Sequence, residues 1–151
     1  MRSFIRKFAV AAALALAAGG VTVATAGSAS ASGWGCSGTE VATYPVQLGN
    51  GTVYSYVHLF WDSSTGYNCA VNVKVGSMYG TLGETRVAIS ECTGDTPGTC
   101  GSTVNEQVQD ANFYYYAGPV RVYGQGHCIT LDASTWNYDA EATYSGGPYH
   151  C

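Results

Sequence analysis

Hydrophobic and polar residues alternate most regularly in residues 69–75. Val71 and Val73 fall on one face of an extended chain, and Asn72 and Lys74 fall on the other, because successive side chains of a strand point to opposite sides. The pattern predicts a strand whose valine face lies in a hydrophobic core and whose polar face points away from that core.

The segment before this strand completes a hairpin. Residues 53–61 are rich in β-branched and aromatic residues, which favour strands. The intervening residues 62–68 contain Asp, Ser, Gly and Asn, which favour turns. We therefore expect a β-hairpin with a long connection, around which the rest of the chain adds further strands.

Other short strands are predicted at residues 41–48, 86–90, 119–123 and 128–131. Residues 102–110 fit one helical turn or a solvated strand equally well, and that choice stays open. Turn residues recur about every 8–12 residues, as in sandwiches and barrels. The sequence predicts an all-β fold, namely a small disulfide-bonded β-sandwich or barrel of about six to eight short antiparallel strands.

The N-terminus has the layout of a secretory signal peptide. A basic start in residues 1–7 is followed by an Ala-, Leu- and Val-rich run in residues 8–18 and by the small residues Ala29-Ser30-Ala31. The apolar run is shorter than the ~20 residues of a membrane-spanning helix. We expect cleavage after Ala31, export without stable membrane insertion, and a single secreted β-domain in residues 32–151.

The predicted mature chain is acidic. It keeps three basic residues, Lys74, Arg86 and Arg121, against all ten acidic residues, which gives a formal charge of −7. Nucleic-acid binding depends on clustered Lys and Arg that neutralise phosphates. The charge therefore argues against a nucleic-acid partner.

Six cysteines follow the cleavage point, and an even number in an exported chain predicts three disulfides. No C-x₂-C pair is present, so a zinc site is not favoured and no metal is predicted. Cys92 and Cys100 flank a segment rich in Gly, Pro and Thr, and this turn-like spacing predicts a local disulfide between them.

The other four cysteines allow three pairings. Cys69 and Cys128 each follow a turn and open a strand, which favours a Cys69–Cys128 disulfide and leaves Cys36 to pair with Cys151. In an extended strand, the side chain of Cys128 would point to the face opposite that of Ile129 and Leu131. Pairing of Cys36 with Cys128 and of Cys69 with Cys151 therefore stays open.

Three segments resemble the spore-associated protein A family of small exported proteins from Streptomyces and related actinomycetes. They are GTVY (residues 51–54), STGYNCAVNV (residues 64–73) and YAGPV (residues 116–120), and the resemblance spans residues 51–131. It implies a non-enzymatic exported protein of the cell or spore surface, with cell-wall or spore-surface components as partners. It brings no catalytic residues to this chain.

The three histidines are candidates for a hydrolytic triad. His58, His127 and His150 occur with Asp62, Asp132 and several serines, which are the residue types of such a triad. No G-x-S-x-G motif or comparable nucleophile context accompanies them. Structural roles are therefore favoured for the histidines.

Acidic pairs offer a second chemistry. Asp62 with Glu84, or Asp139 with Glu141, could act in glycoside hydrolysis if their carboxyl groups lay about 5–9.5 Å apart. Sequence spacing does not fix that distance, and surface carboxylates are mostly solvated. We predict no catalytic residue and no cofactor.

Tyrosine is the most unusual part of the composition. The chain has twelve Tyr and three Trp, and Tyr is amphipathic and enriched at interfaces. Tyr54, Tyr56, Tyr114, Tyr115 and Tyr116 could form a flat stacking surface for sugars, or could serve as core and cross-strand residues. The alternative function is thus a secreted carbohydrate- or cell-wall-binding module that uses a Tyr-rich surface.

Overall fold

The fold is taken from a computed structural model, which describes residues 33–94 and 98–151. The predicted signal peptide and its cleavage site lie outside the described residues. A single 3₁₀ turn (Gly76–Met78) accompanies eight strands in the described residues. The strands are β1 (Thr39–Gln47), β2 (Val53–Asp62), β3 (Tyr67–Lys74), β4 (Gly83–Thr93), β5 (Ser102–Phe113), β6 (Tyr116–Tyr123), β7 (Ile129–Trp136) and β8 (Glu141–Tyr149).

The strands form one antiparallel sheet in the order β5-β4-β7-β8-β1-β2-β3-β6. The two edge strands, β5 and β6, follow each other in the chain and lie close together, so the sheet curls into a nearly closed barrel. The Gln109 side chain accepts a hydrogen bond from the Gly118 backbone N–H across these edges. The predicted all-β, antiparallel fold is confirmed.

The predicted hairpin is present as β2 and β3. These strands pair from Ser55 with Lys74 to Asp62 with Tyr67, and their connection is shorter than the sequence pattern indicated. Asp62 organises the turn, because its carboxylate accepts hydrogen bonds from the backbone N–H and the hydroxyl of Ser64 at 3.0 and 2.6 Å. The turn predicted from these residues is therefore confirmed.

The valine face of β3 is buried in a hydrophobic cluster, as predicted, but this cluster is the smaller of two and lies outside the barrel interior. Val71 and Val73 pack with Phe60 and Cys36 in a small cluster on the outer side of the sheet, under the segment that precedes β1. From Asn68 to its end, β3 is buried on both faces. A strand buried on both sides does not reveal from its alternation which face lines the main core.

The polar face of β3 points into the barrel. The Asn72 side chain donates hydrogen bonds to the backbone oxygens of Arg86 and Ser134, at 3.0 and 3.1 Å, across the interior on β4 and β7. Lys74 is completely buried as well. Polar groups are tolerated inside the barrel where backbone oxygens and hydroxyls supply hydrogen-bond partners.

The apolar part of the interior is built from both halves of the chain. Every strand except β5 contributes buried side chains to it, with the largest contributions from β2, β4, β6 and β7, and Phe113 of β5 packs against them. Its main aliphatic members are Val46, Val57, Leu59, Val87, Ile89, Val120, Val122, Ile129 and Leu131.

Residues 102–110 form the solvated strand of the two alternatives left open. They belong to β5, whose residues are nearly all exposed, including Val104 and Val108. Beyond residue 131 the chain continues as strand through Trp136 and returns as β8, which the sequence did not predict. The hydrophobic pattern did not predict this part of the sheet, because its buried positions include the polar residues Ser134 and Thr135, which have polar partners.

The predicted Cys92–Cys100 disulfide is confirmed. The other two predicted pairings are wrong, as is the alternative to them, because Cys36 bonds to Cys69 and Cys128 bonds to Cys151. Cys69 lies on the outer face of β3, where the N-terminal segment crosses it. Cys128 lies at the start of β7, and the neighbouring antiparallel strand β8 brings the last residue back to it.

Three disulfides indicate an oxidising, extracellular environment. Within residues 33–94 and 98–151, no helix has the length and apolar character required to cross a membrane.

Candidate functional site

The two ends of the barrel differ in chemistry. Residues 48–52, 75–82, 114–115 and 137–140 connect strands at one end, which we call the aromatic end. The opposite end holds the three disulfides and is called the disulfide end. This division arises because consecutive antiparallel strands turn at alternate ends of a sheet.

The predicted tyrosine surface is only partly formed. Tyr114, Tyr115 and Tyr116 are exposed at the aromatic end, as a surface role requires. Tyr54 belongs to the buried core, and Tyr56 is half-buried in β2. The apolar packing of β2 therefore removes these two rings from the predicted surface.

Four exposed side chains that sequence reasoning did not select lie at the same end. Tyr79, Leu82, Trp136 and Tyr138 are exposed, and Tyr138 reaches 95%. All four lie in connections or at a strand end, next to Gly or Asn residues that favour turns. Aromatic residues beside such turn residues were the available signal.

Leu82, Trp136 and Tyr138 line a groove with two lobes. The first lobe, the Trp lobe, has a volume of about 460 Å³ and is lined by Met78, Glu84, Trp136 and Tyr138, among others. Met78 is buried, whereas Glu84 and the two rings are exposed. The lobe thus combines an apolar base with aromatic and carboxylate side chains.

The second lobe, the Tyr lobe, has a volume of about 380 Å³ and is lined by Tyr114, Tyr115 and Tyr116, among others. Leu82 and Asn112 line both lobes, so the two lobes adjoin and are described together as one site. We call it the aromatic groove. Outside it, the ring of Tyr79 packs on Tyr115 with 4.9 Å between their centroids.

Asn137 holds the turn that presents Tyr138. Its side-chain oxygen accepts hydrogen bonds from the backbone N–H groups of Asp139 and Ala140, each at 2.9 Å. Its backbone N–H donates to the oxygen of Ala140 at 3.1 Å. The turn is therefore ordered, although the Tyr138 ring itself projects into solvent.

Lys74 joins the backbone segments that surround the Trp lobe. Its ammonium group donates hydrogen bonds to the backbone oxygens of Thr81, Gly83 and Phe113 at 3.0, 3.0 and 2.7 Å. Desolvation lowers the pKa of this lysine. The three acceptors belong to the 75–82 connection, the start of β4 and the end of β5, so one buried cation fixes all three.

Three carboxylates lie at the aromatic end, and one of them lines the groove. Glu84 lines the Trp lobe, Asp139 lies in the turn that carries Tyr138, and Glu141 pairs with Trp136 across β7 and β8. Asp62 lies at the disulfide end, so the structure separates it from Glu84 by the length of the barrel. The Asp62 and Glu84 pair considered for glycoside hydrolysis is therefore not formed.

His58 makes a defined contact in the middle of β2. Its Nδ1 lies 2.6 Å from the Glu40 Oε1, and its ring packs on Trp34 with 4.6 Å between centroids. Partial burial opposes ionisation of Glu40, but hydrogen bonds from Thr43 and His58 outweigh it and hold the pKa of this carboxyl below its ordinary value. The contact ties β1 to β2.

The other two histidines are also engaged with neighbours. The Nδ1 of His127 lies 3.7 Å from the carboxylate of Glu91. His150 packs on the ring of Trp61 with 4.6 Å between centroids, and desolvation there lowers the pKa of His150. Among the described residues, no group of three or more His, Cys, Asp or Glu side chains is arranged to hold a metal ion.

Fold and site together define a class of protein: a small three-disulfide β-domain with an aromatic groove at one end of a nearly closed barrel. No protein-family model matches the chain, and no curated protein or solved structure is significantly similar to it.

Proposed function

We propose that this chain is a non-enzymatic, exported protein of the cell or spore surface that binds a surface polysaccharide through the aromatic groove. The observation that carries the proposal is the pair of Tyr138 and Trp136, which are 95% and 40% exposed at a turn held by Asn137. Large exposed apolar surfaces on soluble domains mark binding sites.

The lining of the groove suits a sugar chain. Aromatic rings offer flat apolar faces that can pack on the C–H faces of pyranose rings, and small-molecule sites combine such faces with a few polar groups. Here Trp136 and Tyr138 supply the faces, and Glu84 and Asn112 supply polar atoms for sugar hydroxyls. The extended, two-lobed shape suits a polymer better than a single sugar.

Export to the surface is supported by three features. The chain begins with a basic segment, an apolar run and the small residues Ala29-Ser30-Ala31. Its six described cysteines are all paired, as in exported domains. Its resemblance to the spore-associated protein A family favours cell-wall or spore-surface components as partners.

The test is sedimentation of the secreted protein with insoluble peptidoglycan, chitin and cellulose. We expect the protein to leave the supernatant with at least one of these polymers and to be released by soluble fragments of the same polymer. Recovery of all the protein in the supernatant with every polymer would overturn the binding proposal. Immunolabelling of intact cells and spores tests the surface location separately.

A further inference from the structure

We infer that the aromatic groove prefers polysaccharides whose sugars carry free, protonated amino groups over those whose amino groups are acetylated. This inference rests on the proposed polysaccharide binding and names the chemistry of the ligand. It is carried by the combination of exposed rings with a carboxylate that has no cationic partner among the residues that the structure describes.

Glu84 is that carboxylate. It is exposed, lines the Trp lobe together with Trp136 and Tyr138, and makes no ion pair within 4.0 Å in residues 33–94 and 98–151. Asp139 and Glu141, which lie nearby on the turn and on β8, likewise have no ion pair there. Glu84 thus places an unpaired negative charge in the Trp lobe, with two further carboxylates on the adjoining turn and strand.

The cations near the groove are already engaged. The ammonium of Lys74 is buried, and all three of its N–H groups have backbone acceptors. Arg86 lies on the same strand as Glu84, but it contacts Glu106 and Asp110 on β5, at 3.4 and 3.8 Å. Glu106 and Asp110 both lie nearer the disulfide end of β5 than the residue that pairs with Glu84. Their contacts therefore hold the Arg86 guanidinium away from the groove.

Arg121 is also too remote to neutralise Glu84. It lies on β6 toward the disulfide end, where it pairs with Cys69 across the sheet. Its guanidinium donates to the backbone oxygen of Gly35. In the part of the chain that the structure describes, no cationic side chain is therefore placed to neutralise Glu84, and a cationic ligand can supply that charge.

An ammonium group fits this setting better than a neutral amide. It can pair with the Glu84 carboxylate while lying against the face of Trp136 or Tyr138, and cation–π attraction is strongest for Trp. Acetylation removes the charge and both interactions. At an exposed site the two effects together correspond to a preference of about three- to tenfold in Kd.

The test compares two ligands and three variants. Isothermal titration calorimetry measures the Kd of the secreted protein for glucosamine oligomers and for N-acetylglucosamine oligomers of equal length, at a pH where the amine is protonated. We expect tighter binding of the glucosamine oligomer by about three- to tenfold. Glu84→Gln should bring the ratio close to one without weakening binding of the acetylated oligomer.

Two further variants separate local from general effects. Asp132→Asn removes one carboxylate from the barrel wall on β7 and should leave the ratio unchanged, whereas Trp136→Ala should weaken binding of both oligomers. Equal or tighter binding of the acetylated oligomer would overturn the inference but not the proposed polysaccharide binding. A preference that survives Glu84→Gln would have the same consequence. Failure of both oligomers to bind overturns the inference and the proposed binding of amino-sugar polymers together.

Discussion

The side-chain amide of Asn137 donates a hydrogen bond of 2.6 Å to the hydroxyl oxygen of Tyr54. This bond links a core tyrosine of β2 to the turn that carries the exposed Tyr138. Because Tyr54 is buried, it does not belong to the binding surface predicted from the sequence. Its hydroxyl instead supports the turn that presents the Tyr138 ring at that surface. Its role is to position the turn.

Tyr54→Phe tests that role. Loss of the hydroxyl leaves the Asn137 amide without this partner, so we expect the free energy of unfolding to fall by about 1 kcal/mol. Affinity for the polysaccharide should fall as the turn loosens. Tyr56→Phe, at a half-buried position on the same strand, should change neither quantity appreciably, and urea denaturation with calorimetric binding measures both.

Lys74→Met tests the buried cation. The change leaves three backbone oxygens at the aromatic end without their donor, and we expect a loss of about 3 kcal/mol or more in the free energy of unfolding. Arg86→Met is the control, because Arg86 lies in partly exposed ion pairs whose loss costs about 1 kcal/mol or less. Similar urea midpoints for the two variants would contradict this assignment.

The prediction of the fold from sequence worked where strands follow one another, and it failed where distant strands meet. The β2–β3 hairpin follows from local alternation and turn residues. The partners of Asn72 lie on β4 and β7, so no local pattern shows that its amide points inward. The pairing of Cys36 with Cys69 likewise depends on where the N-terminal segment crosses the sheet.

The sequence predicted only part of the site, because the rest depends on segments that are distant in the chain and meet only in the fold. The aromatic run at residues 114–116 is evident in the sequence and lies in the groove. Trp136 and Tyr138 are single aromatic residues in a polar tail, and they become a site only because the β7–β8 turn lies beside the 75–82 connection. Burial of Tyr54 is a consequence of core packing, which composition does not specify.

Disulfide pairing gives a chemical check on the fold. Non-reducing peptide mapping should join Cys36 to Cys69 and Cys128 to Cys151. The Cys36–Cys69 bond spans 33 residues, so replacing both cysteines with Ser should cost about 4 kcal/mol on the chain-entropy model. The Cys92–Cys100 bond spans 8 residues, and its loss should cost about 2.5 kcal/mol.

The Glu40 carboxyl predicts a pH dependence of stability. Its pKa in the folded protein lies below the ordinary value of 4.5, so its contribution to stability is present above that value and is lost as the pH falls through the folded pKa. Glu40→Gln should therefore reduce the acid-induced loss of stability below about pH 4.5. Thermal unfolding of both proteins across this pH range measures the difference, and parallel curves would contradict the assignment.

Absence of catalysis is a separate prediction. Screens of esterase, glycosidase and peptidase substrates should show no turnover that depends on His58, Asp62 or His127. His58 and Asp62 contact neighbouring side chains and turn groups in the described structure. Turnover that is lost in His58→Ala, Asp62→Asn or His127→Ala, with the fold intact by circular dichroism, would show that the protein is an enzyme.

The most direct test of the proposed function compares Tyr138→Ala with Tyr67→Ala. Both tyrosines are exposed, but Tyr138 lies at the groove, whereas Tyr67 lies at the disulfide end, 42% exposed. In sedimentation with the polymer that the native protein binds, Tyr138→Ala should raise the Kd by about tenfold. Tyr67→Ala should bind as the native protein does, and equal binding by the two variants would contradict the account.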